Sequence, residues 1–205
     1  MPRRSILSAA ERASLLLPPD TEDELIRHYA FGETDLSLIR QRRGDANRLG
    51  VAVQLCLLRF PGQGLLPDAS MPMSLLQWIG RQLRIDPSCW PQYAEREETR
   101  REHLLELRAY LGVEPFGLAH YRQAVHATTE LALQTDKGIV LAVNVLDTLR
   151  HRHIIIPALD VIERVCAEAI TRANRRIYAT LSEPLADPHR RRLDDLLKRR
   201  DNGKT

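Results

Sequence analysis

Residues 34–62, TDLSLIRQRRGDANRLGVAVQLCLLRFPG, contain two apolar helical segments separated by a tight turn. Thr34 is the expected N-cap of the first segment and Gly44 its end, because threonine caps helices and glycine terminates them. Asp45 is the expected N-cap of the second segment, which Pro61-Gly62 stops. Short helices around a tight turn, with arginine in the first turn of the second helix, are the layout of a helix-turn-helix unit.

Similar helix signals extend in both directions from this stretch. Ser8, Thr21 and Thr99 are each followed three residues later by glutamate, which is the capping-box pattern. The chain also contains 32 Leu and 20 Ala, which are strong helix formers. The β-branched run Ile154-Ile155-Ile156 is too short to build a sheet. The sequence therefore predicts an all-α fold.

Turn-forming residues divide the chain into regions. Residues 1–62 are the first predicted helical unit, and residues 63–73 are a predicted linker, because the stretch from Pro61 to Pro72 holds three Pro and two Gly. Residues 74–115 repeat the plan of the first unit, and residues 116–205 carry longer helices. We therefore expect two tandem helix-turn-helix-like units followed by a larger helical region.

Composition limits the class of protein. With 43% apolar residues the chain can bury a core. No stretch approaches the roughly 18 uncharged apolar residues of a transmembrane helix, and no apolar run after Met1 suits a signal peptide. Three scattered cysteines exclude a disulfide scaffold and fit a reducing compartment. We therefore expect a cytoplasmic protein without membrane contact.

The basic residues are almost all arginine. Of the 30 Lys and Arg, 27 are Arg, and they face 27 Asp and Glu, which leaves a formal net charge of +3. A GC-rich coding sequence explains this bias as well as a function does. The functional interpretation is that the planar guanidinium binds phosphates and guanine edges bidentately, which the lysine ammonium does not.

The densest polar cluster lies in the first unit, where five arginines between Leu36 and Phe60 meet a single acid, Asp45. This local positive charge attracts a phosphate backbone, with a solvated helix end as the alternative. In the first turn of the next helix, Asn47 suits an adenine edge, or merely helps cap the helix, and Arg48 suits a guanine edge. The candidate DNA-binding residues of this unit are Arg40, Gln41, Arg42, Arg43, Asn47 and Arg48.

The second unit and the N-terminus add further candidates. Arg100, Arg101 and His103 start the corresponding helix, although Arg100 is in line with apolar residues and a structural ion pair is its alternative role. Arg3 and Arg4 precede the first helix and are suited to a minor groove, with a disordered charged terminus as the alternative.

A third group of basic residues ends the second of the longer helices. Arg150 and Arg152 stand beside His151 and His153, and we interpret them as a basic patch that contacts DNA. A His-x-His pair also binds metals, but the sequence offers no convincing third ligand, so we predict no metal site.

The sequence also lacks catalytic motifs, with no Gly-rich phosphate loop and no nucleophile elbow. We predict no catalytic residue and no cofactor.

Several motifs in order resemble one family of proteins over essentially the whole chain. The chain is similar to the N-terminal region of replicative transposases of the Tn-three family in the segments Pro2-Arg3-Arg4, Arg43-Gly44, Asn47-Arg48-Leu49-Gly50, Gln54 to Gly62, Tyr93-Ala94, Thr99 to Leu104, Leu149-Arg150, Pro157 and Glu163-Arg164.

The resemblance implies a role in DNA transposition in bacteria. Family members are much longer and carry an RNase-H-like domain with an acidic, metal-binding catalytic triad, to which nothing in this chain corresponds. It therefore implies a non-catalytic N-terminal part that recognises the terminal inverted repeats of the transposon as double-stranded DNA, in a nucleoid-associated location. The alternative function is a helical interaction or dimerisation module, which binds a second copy or the remainder of the transposase and is most plausible for residues 116–205.

Overall fold

The computed structural model describes residues 6–65, 71–94, 97–182 and 187–201. Helices dominate these ranges, and the all-α prediction is confirmed, because the described residues contain an isolated bridge between Glu114 and Ile154 but no β-strand. A 3-10 turn at Pro87–Cys89 precedes α6. The helices are α1 (Ala9–Ser14), α2 (Glu22–Tyr29), α3 (Glu33–Arg40), α4 (Asp45–Arg59), α5 (Met73–Leu83), α6 (Trp90–Ala94), α7 (Glu97–Leu111), α8 (Leu118–Ala132), α9 (Gly138–His151), α10 (Leu159–Ser182) and α11 (Asp187–Asp201).

Helix caps agree only in part with the sequence patterns. The capping box at Ser8 is confirmed, since the Glu11 N–H donates to Ser8 Oγ at 3.3 Å and the Ser8 N–H donates to Glu11 Oε2 at 2.7 Å. The box at Thr21 was wrong in detail, because the Thr21 hydroxyl donates to the Glu24 carboxylate instead of capping the backbone.

Three other predicted starts move by one to three residues. Thr34 is not the cap of α3, because the helix begins at Glu33 and its N-cap Gly32 donates its N–H to the Asp35 carboxylate at 2.8 Å. Asp45 is the first residue of α4 rather than its cap. Gly44 takes the cap position with a φ of +80°, a conformation that favours glycine. Likewise Thr99 lies inside α7, which begins at Glu97.

The first core surrounds α4. All residues of this helix from Leu49 to Leu58 are buried, and the helix contacts α2, α3, α5, α6 and α7. Residues from both predicted units enter this core, for example Tyr29 and Ile39 from one and Ile79 and Leu107 from the other. Because the two predicted units share this core, their division into two DNA-binding units at residues 1–62 and 74–115 stays a prediction.

The second core is built from α8, α9 and α10. Its buried side chains include Val125, Leu141 and Val165. The N-terminal segment joins this core rather than the first one, because Leu7 is buried in it. An ion pair of 2.5 Å between Arg12 Nη1 and Glu163 Oε2 fastens α1 to α10.

Backbone hydrogen bonds join the two cores. The Glu114 N–H donates to the His153 carbonyl at 2.9 Å, and the Ile155 N–H returns to the Glu114 carbonyl at 2.8 Å. The Ile156 N–H donates to the Gly62 carbonyl at 2.9 Å. As expected, the isoleucine run forms no sheet in the described part of the chain. Among the described helices, none combines the length and apolar character needed to cross a membrane.

Candidate nucleic-acid interface

The turn between α3 and α4 forms a basic corner, which we define as residues 40–48. Arg40, Gln41 and Arg43 are exposed. Neither Arg40 nor Arg43 has an ion-pair partner among the described residues, whereas Arg42, Arg59 and Arg150 each pair with a carboxylate. The charge of Arg40 and Arg43 is therefore available to an anionic partner.

Arg42 has a different role from its neighbours. Its guanidinium pairs with the Glu106 carboxylate of α7, and its side chain is only 20% exposed. Its buried Nε has no hydrogen-bond partner among the described residues. Arg42 thus anchors the basic corner to α7, and this pairing argues against its predicted DNA contact.

Asn47 and Arg48 fix the backbone of the basic corner. Asn47 Nδ2 donates to the Arg43 carbonyl at 3.0 Å, and Arg48 Nε donates to the Arg42 carbonyl at 3.0 Å. Arg48 Nη1 also lies 3.6 Å from Asp45 Oδ1, in an ion pair across one helical turn. The Arg48 side chain remains 40% exposed, so it retains donors on the protein surface.

The body of α4 is unable to lie in a DNA groove. Its ten residues from Leu49 to Leu58 are buried on every side of the helix. A recognition helix must present a face to base edges. The first turn of α4 and the preceding residues are therefore the part of this unit that can contact DNA, as the apolar sequence of the helix indicated.

The start of α7 supports DNA contact less well. His103 is 7% exposed, and its ring stacks on Tyr93 with centroids 5.8 Å apart. Tyr93 OH lies 3.3 Å from His103 Nδ1, and Gln54 Nε2 donates to Tyr93 OH at 2.5 Å. Burial raises the pKa of Tyr93 to about 12, which keeps its hydroxyl protonated. His103 is thus a core residue, and we drop its predicted DNA contact.

The two arginines beside His103 differ in exposure. Arg100 is half-buried, and its carbonyl accepts a hydrogen bond from Gln54 Nε2 at 3.0 Å. Arg101 is exposed, but Glu97, Glu98 and Glu102 are exposed around it. Three carboxylates next to one guanidinium give this surface no excess of positive charge.

We expect His103 to make stability depend on pH. Burial, and then the charge of Arg42, lower its pKa below the ordinary value, while Glu106 and Glu102 act in the opposite direction. Below about pH 6.5 the unfolded chain binds a proton that the folded chain does not, so the free energy of unfolding falls until the folded pKa is reached. Urea unfolding at pH 7.5 and pH 5.5 measures this loss. His103→Gln should reduce it and the exposed control His126→Gln should not; equal losses in both variants would contradict the assignment.

Arg150 and Arg152 take part in contacts within the protein. Arg150 Nε donates to the Pro61 carbonyl at 3.1 Å, Nη1 donates to Asp147 at 3.0 Å, and the guanidinium lies 5.2 Å from the Phe60 ring centroid. Arg150 therefore joins α9 to the end of α4. Arg152 is exposed and donates to Gln123 Oε1 at 2.9 Å. Arg3 and Arg4 lie outside the described residues.

Sequence reasoning missed the acid that organises the first core. Asp35 Oδ1 accepts from Arg59 Nη2 at 2.5 Å and from Tyr110 OH at 2.7 Å. These partners are far apart in sequence, so no local spacing signals the contact. In the described part of the chain, no group of three or more His, Cys, Asp or Glu side chains is placed to hold a metal ion.

A family model described as a domain of unknown function, DUF4158, matches residues 6–169, so this helical chain belongs to the DUF4158 family. The chain is 64% identical over 205 residues to the transposase for transposon Tn21 of Escherichia coli, covering 100% of this chain and 21% of that transposase. It is 58% identical over 198 residues to the transposase for transposon Tn501 of Pseudomonas aeruginosa, covering 97% and 20% of the two chains.

A more distant relative extends the same pattern. The transposase for transposon gamma-delta of Escherichia coli strain K12 is 30% identical over 162 residues, which is 78% of this chain and 16% of the transposase. The resemblance to replicative transposases is thereby confirmed. The chain spans about a fifth of the length of the curated relatives it matches.

Proposed function

We propose that this chain binds double-stranded DNA at the terminal inverted repeats of a transposon, as the DNA-recognising part of a replicative transposase. The observation that carries this proposal is the basic corner, where Arg40 and Arg43 are exposed without an ion-pair partner among the described residues. The transposase names of the relatives support DNA as the partner.

The basic corner combines the two kinds of contact that specific DNA binding needs. Arg40 and Arg43 approach the phosphate backbone, which supplies most of the salt-dependent affinity. Arg48, held in place through the Arg42 carbonyl, approaches a base edge in the major groove, where a guanidinium reads guanine bidentately. Protection footprinting on the transposon end, with an unrelated duplex as competitor, tests this placement. A footprint confined to the repeat is expected, and uniform protection along the duplex would overturn the proposal.

Arg48→Ala is expected to weaken binding to the repeat by about 1–3 kcal/mol and to relax specificity at one or two base pairs. The loss arises because the paired guanine loses a bidentate donor. Titration of a labelled repeat and of its single-base variants measures both effects. Arg190→Ala, on the exposed surface of α11, is the control and should bind almost normally. Normal binding by Arg48→Ala would show that another residue reads the repeat.

We further propose that the chain itself is non-catalytic. The cleavage chemistry of a transposase would then belong to a part of the longer protein to which nothing here corresponds. A nuclease assay with the repeat duplex and magnesium tests this directly. We expect no cleavage above the level of a buffer control, and magnesium-dependent cleavage that follows the purified chain would contradict the proposal.

A second candidate function is a helical interaction module for residues 116–205. The end of α10 and the described part of α11 each carry large exposed apolar side chains, and exposed apolar patches mark protein interaction sites. These side chains are Ile177, Tyr178, Leu181, Leu193 and Leu196, with exposures of 36–69%. Measuring the molecular mass in solution with and without repeat DNA separates the candidates. A dimer that forms without DNA supports the interaction module, and a monomer at all concentrations would contradict it.

A further inference from the structure

Two side chains on one face of α7 hold the two ends of α3. Glu106 and Tyr110 are four residues apart, which places them one turn from each other on the same face of the helix. Tyr110 OH donates to Asp35 Oδ1 at 2.7 Å, near the start of α3. The Glu106 carboxylate accepts from the guanidinium of Arg42, two residues beyond the end of α3. The turn between α3 and α4 is thus fastened to a helix that is distant in sequence.

The two members of the Arg42–Glu106 ion pair differ in exposure. The Arg42 side chain is 20% exposed and the Glu106 side chain is 42% exposed. Arg42 Nε is buried and has no hydrogen-bond partner among the described residues, so this guanidinium depends on the Glu106 carboxylate. A partly buried charge without its partner is unfavourable and moves towards water. Loss of the carboxylate should therefore release Arg42, whereas truncating a side chain as exposed as that of Glu106 opens no cavity in the core.

The backbone of Arg42 in turn orients Arg48. The Arg42 N–H donates to the Ile39 carbonyl at 3.1 Å, and the Arg42 carbonyl accepts from Arg48 Nε at 3.0 Å. A guanidinium reads a guanine edge only when two of its donors meet O6 and N7 together, so a small rotation of Arg48 loses part of that contact. A continuous set of contacts therefore leads from the Glu106 carboxylate through Arg42 to Arg48.

We propose that Glu106 is a positioning residue for DNA recognition, which holds Arg48 in the orientation that contacts a base edge. Because Arg48 is the base-contacting residue of the proposed function, this role rests on that function. The role is opposite to the ordinary effect of an acid in a DNA-binding protein, since a carboxylate repels phosphates and its removal strengthens binding to any duplex. Glu106 should instead favour the repeat over other sequences.

Glu106→Ala in the whole 205-residue chain tests this role, with Glu102→Ala as the charge-matched control. Glu102 is exposed and lies one turn earlier on α7. The ratio of the Kd values for a scrambled duplex and for the repeat gives the preference for the repeat. In Glu106→Ala this preference should fall by about 3- to 30-fold, which is part of the roughly 5- to 150-fold that one bidentate guanine contact contributes. Glu102→Ala should leave the preference unchanged.

The possible results separate this role from the proposed function. An undiminished preference in Glu106→Ala, or an equal fall in Glu102→Ala, would overturn the role of Glu106 and leave the proposed function intact. A chain that shows no preference for the repeat before any substitution would overturn both. Should Glu106→Ala fail to fold, Glu106→Gln, which removes the charge and keeps the length of the side chain, decides by the same measurement.

Two further measurements test whether Glu106 acts through Arg48. In a chain that carries Arg48→Ala, adding Glu106→Ala should cause no further loss of preference, because the residue that Glu106 positions is gone. Without DNA, the Arg48 Nε–H signal in a ¹H–¹⁵N NMR spectrum should shift in Glu106→Ala and stay in place in Glu102→Ala. A further loss in the double variant, or an unchanged Nε–H signal in Glu106→Ala, would contradict the positioning role.

Discussion

Asp35→Ala is expected to lower the free energy of unfolding by about 3–5 kcal/mol. The carboxylate is 3% exposed and accepts hydrogen bonds from the Gly32 N–H, Arg59 and Tyr110. Removing it takes away the hydrogen bond that the N-cap residue Gly32 donates at the start of α3, and it leaves the Arg59 guanidinium partly buried without its carboxylate. Urea unfolding monitored by circular dichroism measures the change.

The control for this variant is Asp160→Ala. Asp160 is exposed and lies 3.6 Å from Arg164 in a surface ion pair, which contributes about 1 kcal/mol or less. Losses of equal size in the two variants would show that Asp35 does not organise the first core.

The same carboxylate should make stability sensitive to acid. Burial raises the pKa of Asp35, but hydrogen bonds from Arg59, Tyr110 and Gly32 outweigh burial and hold the pKa below its ordinary value. A lowered folded pKa stabilises the folded state above the unfolded pKa of about 3.9, and this stabilisation is lost as the pH falls through the folded pKa. In the Asp35→Ala variant, this part of the decrease in the free energy of unfolding at low pH should be absent.

Affinity for the repeat is expected to fall roughly 10³- to 10⁵-fold between 50 and 200 mM salt. Binding that neutralises about six to ten phosphates releases their counterions, which gives a slope of log affinity against log salt of about −5 to −9. Fluorescence anisotropy at four or more salt concentrations yields the slope. A slope near zero would contradict binding through the phosphate backbone.

A double variant measures how much of the slope of log affinity against log salt arises from the basic corner. Arg40→Ala with Arg43→Ala should reduce the magnitude of the slope by about 2, since each phosphate contact contributes about 0.9. Arg175→Ala with Arg191→Ala removes two exposed arginines of α10 and α11 and serves as the charge-matched control. Equal slopes for both double variants would place the phosphate contacts elsewhere.

The helices could be predicted because their signals are local. Ser8 and Glu11 form the expected capping box, and Pro61-Gly62 and Gly112 follow the ends of α4 and α7. The apolar sequence of α4 likewise indicated that its body is buried and that its first turn alone can contact DNA. Periodicity and capping depend on residues three or four positions apart, which a sequence displays directly.

The missed features all depend on contacts between distant residues. Arg42 pairs with Glu106, Asp35 pairs with Arg59, and α1 joins the second core through Arg12 and Glu163. Charge counting along the sequence treats Arg40, Arg42 and Arg43 alike, although only Arg42 turns towards α7. Similarly, His103 is a polar residue near the predicted start of its helix. Its side chain is nevertheless buried against Tyr93, which accepts a hydrogen bond from Gln54. The fold therefore determines which arginines form ion pairs within the protein and which are left to bind DNA.

Competition binding between the transposon repeat and a scrambled duplex of the same length and composition, at about 0.15 M salt, tests the central claim most directly. Specific protein–DNA complexes are typically tighter than non-specific ones by about 10³-fold or more, so we expect the repeat to be preferred by at least that factor. Equal affinity for the two duplexes would contradict the proposed recognition of the transposon end.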